Sequence, residues 1–169
     1  STVNLDFSAQ EFRAAAFKNS TIQYHINTTN ATGAMSYISS IDEDTHLNHS
    51  DTDIHQKFES ISSSLPETSF APRTWGYRKS KTSVTGNFNP IPKRSNPDLL
   101  YNETTAVNTS YHIDFGVKSS PDLIEGTFEK QIVLTTIANP VPTTATLQNG
   151  FQFSNIVHNL NPNHDTEKF

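Results

Sequence analysis

Apolar and polar residues alternate with period two along most of this chain, the signature of strands with one buried and one wetted face. Ile22, Tyr24 and Ile26 alternate with Gln23, His25 and Asn27. Met35, Tyr37 and Ile41 alternate with Ser36, Ser40 and Asp42, which predicts Met35 and Tyr37 on the buried side. Tyr111, Ile113, Phe115 and Val117 alternate with Ser110, His112, Asp114 and Gly116. Residues 127–138 (TFEKQIVLTTIA) become apolar on both faces, as a central strand would be. One stretch reads as helix: Ser8 and Glu11 have capping-box spacing, and the good helix formers of 11–18 predict a short helix anchored by Phe12 and Phe17.

The connections are rich in turn residues. Asn30-Ala-Thr-Gly33 stands at hairpin distance between the first two strands, and residues 119–126 (SSPDLIEG) separate the last two. The polar, acidic stretch 42–57 and the Ser-rich stretch 60–66 read as exposed loops. Many short strands joined in this way predict an all-β sandwich with Ig-like or jelly-roll-like layering, a short N-terminal helix and a C-terminal strand-like extension. After Asn139 the character changes. Pro140-Val-Pro142-Thr-Thr reads as a stiff, extended spacer. The expected division is therefore a β-sandwich domain over 1–139 and a linker with an extended segment over 140–169.

Composition sharpens this picture. Of 169 residues, 19 are Ser, 21 Thr and 16 Asn, while 11 Phe and 5 Tyr supply much of the apolar bulk. No run approaches the ~20 apolar residues of a spanning helix. A net charge of −5 argues against nucleic acid as a partner, which would call for a basic face. Cysteine is absent, so disulfides, thiolate metal sites and cysteine nucleophiles are excluded.

The strand INTTNATGAMSYIS (residues 26–39), the L-x-x-x-D of Leu47 to Asp51, TWGYR (74–78), NFNPIP (87–92) and the closing segment 114–139 together resemble a family pattern. It is that of the β-sandwich surface domains in secreted proteins of Saccharibacteria, related candidate phyla and Firmicutes. The resemblance spans roughly Ile22 to Asn139. Ala34 and Phe128 depart from it, since both stand where that pattern carries Tyr. It implies an extracellular, non-enzymatic role at the cell surface and supplies no catalytic residues.

Candidate chemistry is sparse. Asp42, Asp44, Asp51 and Asp53 with His46, His49 and His55 among them could ligate zinc, and the carboxylates alone calcium, the better fit of the two, but their spacing matches no defined metal loop; a solvated acidic loop is the expectation, and no other cofactor is implied. Asp114 and Glu129, on wet strand faces, are the candidate carboxylate pair for glycoside hydrolysis, with soluble surface as the stronger expectation. Trp75, Tyr77 and Arg78 could form an aromatic platform for a sugar or partner, but alternation puts Trp75 and Tyr77 on one side of an extended segment, which favours core with Arg78 outside. Asn-x-Ser/Thr sequons at Asn19, Asn27, Asn30, Asn48, Asn102 and Asn108 are glycosylation candidates. Lys118, Lys130 and Asn139 are candidates for a Lys–Asn crosslink, although nothing in their spacing favours one. Six cations between Arg73 and Arg94, set against the acidic loop, predict a dipolar molecule.

These readings lead to a structural subunit of an extracellular bacterial surface assembly, with copies of itself as partners and β-strand addition as the joint. Phe151, Phe153, Ile156 and Val157, or Val3, Leu5 and Phe7 at the other end, are the expected contact residues. The alternative is a monomeric adhesin that binds host or cell-wall glycans through Trp75, Tyr77 and Arg78.

Overall fold

A computed structural model of the chain describes residues 3–82 and 85–141. By its internal contacts the chain divides into two units, Ser1–Asn139 and Pro140–Phe169. The strands of the described residues belong to the first unit. Phe151, Phe153, Ile156 and Val157 lie outside the described residues.

The fold is an all-β sandwich preceded by one short helix, α1 (Ala9–Arg13). The strands are β1 (Phe17–Thr28), β2 (Ala34–Ser40), β3 (Leu47–His49), β4 (Lys57–Ser60), β5 (Thr74–Ser80), β6 (Asp98–Glu103), β7 (Val107–Lys118), β8 (Phe128–Glu129) and β9 (Ile132–Ala138). A curled six-stranded sheet has the order β1-β7-β5-β4-β3-β8, and a three-stranded sheet the order β6-β2-β9. Among the described residues only β4 and β5 pair in parallel, and no helix is long and apolar enough to cross a membrane.

The main core lies between the sheets. The large sheet contributes Phe58, Trp75, Tyr77, Ile113, Phe115 and Val117, and the small sheet answers with Ile38 and Leu100. Ile26, Tyr111, Ile113, Phe115 and Val117 are buried as read, and Gln23, His25 and Asn27 of β1 are exposed, but the opposite row of β7 is not wet, since Asp114 and Gly116 are buried as well.

Four expectations need correction. Phe17 and Lys18 belong to β1, because the helix stops at Arg13 after its capping box has closed. The faces of β2 are inverted: Ser36, Ile38 and Ser40 are buried, and Met35 and Tyr37 are half-buried on the outward face. Ile38 takes the inward position, and the serines follow it because they find partners, Ser36 Oγ at Tyr24 Oη and Ser40 Oγ donating to Asp44 O. The turn at 30–33 does not close a hairpin but carries the chain from one sheet to the other, with Gly33 at φ 77°. Finally, 127–138 is not a central strand: it breaks into β8 and β9, each at a sheet edge.

Candidate interaction surface

The sequence's most distinctive cluster lies inside the molecule. Trp75 is 3% exposed and Tyr77 2%. Trp75 Nε1 donates to Thr45 O at 2.9 Å, and Tyr77 Oη donates to Asp98 at 2.7 Å. Burial, and next to it the bond to Asp98, push the Tyr77 hydroxyl far above its ordinary pKa. Both rings are core, so they offer no platform to a sugar.

Arg78 is not outside either. It projects from the opposite face of β5, and its side chain is 12% exposed. Its Nε and Nη2 each stand 2.8 Å from Oδ2 of Asp114, which is fully buried. Asn19 Nδ2 donates to both carboxylate oxygens, at 2.9 and 2.7 Å, and Thr21 Oγ1 to one at 3.2 Å. The guanidinium lies 4.3 Å over the Phe88 ring. This face of the large sheet is covered by a second, smaller core of Ile61, Phe70 and Phe88, with Phe17 and Leu65 against it. Gly76 and Gly116 make room for that cover: a Cβ on Gly116 would stand 2.6 Å from Phe17 Cζ and 2.7 Å from Phe88 Cε1. Asp114 is thus a buried structural anion with a matched cation. It cannot pair with Glu129 in hydrolysis, since four strand spacings, of about 4.8 Å each along the sheet, separate β7 from β8.

The acidic loop is engaged by side chains of its own chain. Lys130 Nζ reaches Asp42 Oδ1 at 2.6 Å, and Asp44 holds His46, whose Nε2 is 2.5 Å from Glu59. Asp51 accepts the backbone N–H of Asp53 in a turn. Burial would raise the Asp44 pKa, but hydrogen bonds from Asn48, from the His46 backbone and from the His46 ring outweigh it and hold the carboxyl at about 2. Among the described residues no three His, Asp or Glu side chains converge as a metal site. Of the calcium candidates, Asp42 and Asp44 are charge partners and Asp51 forms a turn, while Asp53 is exposed.

The basic stretch forms no separate patch. Arg73 pairs with Asp122, Lys81 with Glu103, and Lys79 donates to two backbone carbonyls. Arg94 reaches Ile41 O, and the adjoining Ser95 bonds Glu43, so the basic and acidic stretches meet. Lys130 and Asn139 lie beyond opposite ends of β9, about 20 Å or more apart at strand rise, which separates two of the three crosslink candidates.

The sequons divide by what their amides do. Asn19 holds Asp114, Asn30 Nδ2 donates to Gly33 O and Asn139 O, and Asn48 Nδ2 donates to Asp44. Asn27, Asn102 and Asn108 are exposed. Asn27 lies opposite Asn108 across β1 and β7, Asn108 Oδ1 contacts His25, and Asn102 Oδ1 accepts from Asn139.

Val3, Leu5 and Phe7 pack against the main core of their own chain and are partly buried there. Part of their apolar area is therefore covered within their own chain.

Among the described residues the outer edge of β9 has no strand beside it. Among the described residues β9 pairs with β2 alone, in a register from Ala34 opposite Ala138 to Ser40 opposite Ile132. Leu134 is 36% exposed and Ile137 46%. On its outward side an open hollow of about 360 Å³ is lined by Tyr37, Ile41, Pro97, Val133 and Thr135, with Arg94 at hand. Two of the other edges are guarded, as natural sheets guard theirs. β8 has two residues, one of them Glu129. β6 carries Asp98 and Glu103, and Lys79 Nζ caps the carbonyls of Leu99 and Leu100 at 2.7 and 2.6 Å. β1 is also an edge, paired with β7 alone among the described residues; it is twelve residues long, its exposed side chains are polar and its one charge, Lys18, bonds Asp6 O and Glu11. β9 has no charge at all, and none of Asp, Glu, Lys or Arg occurs in the sequence between Lys130 and Asp165. Local alternation could not reveal this edge, although the uncharged run was visible in the sequence.

No protein-family model, curated protein or solved structure matches the chain.

Proposed function

We propose that this protein is a non-enzymatic structural subunit of an extracellular bacterial surface assembly, whose copies join by β-strand addition. The observation that carries the reading is the uncharged edge of β9, paired on one side among the described residues, with Leu134 and Ile137 exposed. An unguarded strand of this kind offers a row of free backbone donors and acceptors, to which another extended chain can add. The surface location rests on the resemblance carried by residues 26–39, 74–78, 87–92 and 114–139. The partner is a second copy of the same chain. The adhesin alternative loses its residues, because Trp75 and Tyr77 are core and Arg78 is held by Asp114.

The test is negative-stain electron microscopy of native material, with antibody labelling of intact cells. Labelled fibres or stalks at the surface are expected. Isolated particles confined to the cell interior would overturn the proposal.

A further inference from the structure

We propose that the Asn139–Pro140 peptide bond is a self-cleaving junction, at which the side-chain amide of Asn139 displaces the chain that follows it. This activity goes beyond the assembly reading and does not depend on it. Three observations carry it. First, the carbonyl of the bond is already polarised: Asn139 O accepts from Asn30 Nδ2 at 2.8 Å and from Thr32 Oγ1 at 2.9 Å. Two fixed donors on one carbonyl oxygen stabilise the oxyanion that forms when a nucleophile adds to the carbon. Second, the nucleophile is held beside that carbonyl. Asn139 Nδ2 lies 2.7 Å from Thr32 O, 2.8 Å from Glu103 O and 3.0 Å from Asn102 Oδ1, acceptors that draw its hydrogens away and leave the nitrogen richer in electrons. Gly33 lets the turn at 30–33 close over this group, since a Cβ there would collide with Glu103 O. Third, Pro140 has no N–H with which to attack the Asn139 side chain, so the usual deamidation route is closed and cyclisation onto the main-chain carbonyl is left. The chain has further Asn–Pro bonds at Asn89, Asn96 and Asn161. Among the described residues Asn89 O accepts one N–H, from the Tyr77 backbone at 3.0 Å, and Asn96 O has no side-chain donor; Asn161 lies outside them.

In the step, a bond forms between Nδ2 and the carbonyl carbon of Asn139, and the bond from that carbon to Pro140 N breaks. One proton passes from Nδ2 to the departing nitrogen. Residues 1–139 then end in a succinimide and residues 140–169 begin with a free proline, which parts the chain where its two units divide. No water, metal or oxidant is consumed.

The test is intact-mass spectrometry of the purified full-length chain during incubation at neutral and mildly alkaline pH. The expected early products are a fragment that begins at Pro140 and a 1–139 fragment lighter by one water than hydrolysis would leave. Thr32→Val should slow scission at least about tenfold, as loss of an oxyanion donor does, and Thr32→Ser should keep most of the rate. In Pro140→Gly, scission should give way to deamidation at Asn139. Wild-type chain unfolded in urea loses both donors and should cleave no faster at Asn139 than at Asn89 or Asn96, a comparison that holds even if Thr32→Val fails to fold. A chain that stays intact, a hydrolytic mass from the first time points, or equal scission of the Asn–Pro bonds in the folded chain would each overturn self-cleavage. So would an undiminished rate in folded Thr32→Val, or a preference for Asn139 that survives in urea.

Discussion

Nε and Nη2 of Arg78 converge on one carboxylate oxygen of Asp114, each at 2.8 Å, in the middle of the large sheet. The two residues face each other across β5 and β7, and the pair is sealed by Phe88 above and Asn19 beside it. Removing one member of a buried pair leaves the other charge uncompensated. Asp114→Ala should therefore destabilise the fold by roughly 3–5 kcal/mol in urea denaturation, whereas Arg78→Met combined with Asp114→Leu should recover much of that loss. A double variant no better than the single one would assign the pair a role beyond charge balance.

Trp75 is the sole tryptophan and sits in the main core. Its fluorescence should be blue-shifted and poorly quenched by iodide. Trp75→Ala should cost about 3–5 kcal/mol, and Trp75→Phe less, with the Thr45 carbonyl left unpaired. A red-shifted emission, or a Trp75→Ala variant as stable as the wild type, would contradict the core assignment.

Gly116 is kept without a side chain by Phe17 and Phe88. Gly116→Ala should lose about 1–3 kcal/mol through overpacking, and Phe88→Leu in the same chain should relieve part of it. Additive losses in the double variant would show that the methyl group meets something else.

Two pH dependences arise from the side-chain environments. Asp44 is held at about 2 in the folded chain, below its value in an unfolded chain of about 3.9. Its contribution to stability is present above about pH 4 and is lost as pH falls toward 2. The acid limb of Tm against pH should be shallower in Asp44→Asn. At the alkaline end the sign reverses. Burial, foremost, raises the hydroxyls of Tyr24, Tyr77, Tyr101 and Tyr111, with Tyr101 at about 12. Stability from these groups is complete below about pH 10 and falls as pH rises further. Absorbance titration should show Tyr77, Tyr101 and Tyr111 protonated at about pH 11 and ionised together with unfolding; all of them titrating near pH 10 in the folded chain would contradict this.

Part of this architecture is legible in the sequence, and the rest is hidden for physical reasons. The inward row of β1 and of β7 could be read because each strand has one apolar row in strict alternation. The capping box could be read because it is entirely local. The faces of β2 could not: Tyr37 is the larger side chain, but the small serines fit beneath the opposite sheet and find hydroxyl and carbonyl partners there. Asp114 looked like a wet-face carboxylate because its cation lies 36 positions away. β9 looked central because apolarity on both faces does not distinguish a covered strand from an edge that awaits a partner.

Sedimentation velocity of the full-length chain over a wide range of concentration is the sharpest test of association through β9. Self-association that deepens with concentration, and that Thr135→Lys abolishes without loss of folded signal, is the predicted result. A single monomeric boundary for the wild-type chain at every concentration would contradict it.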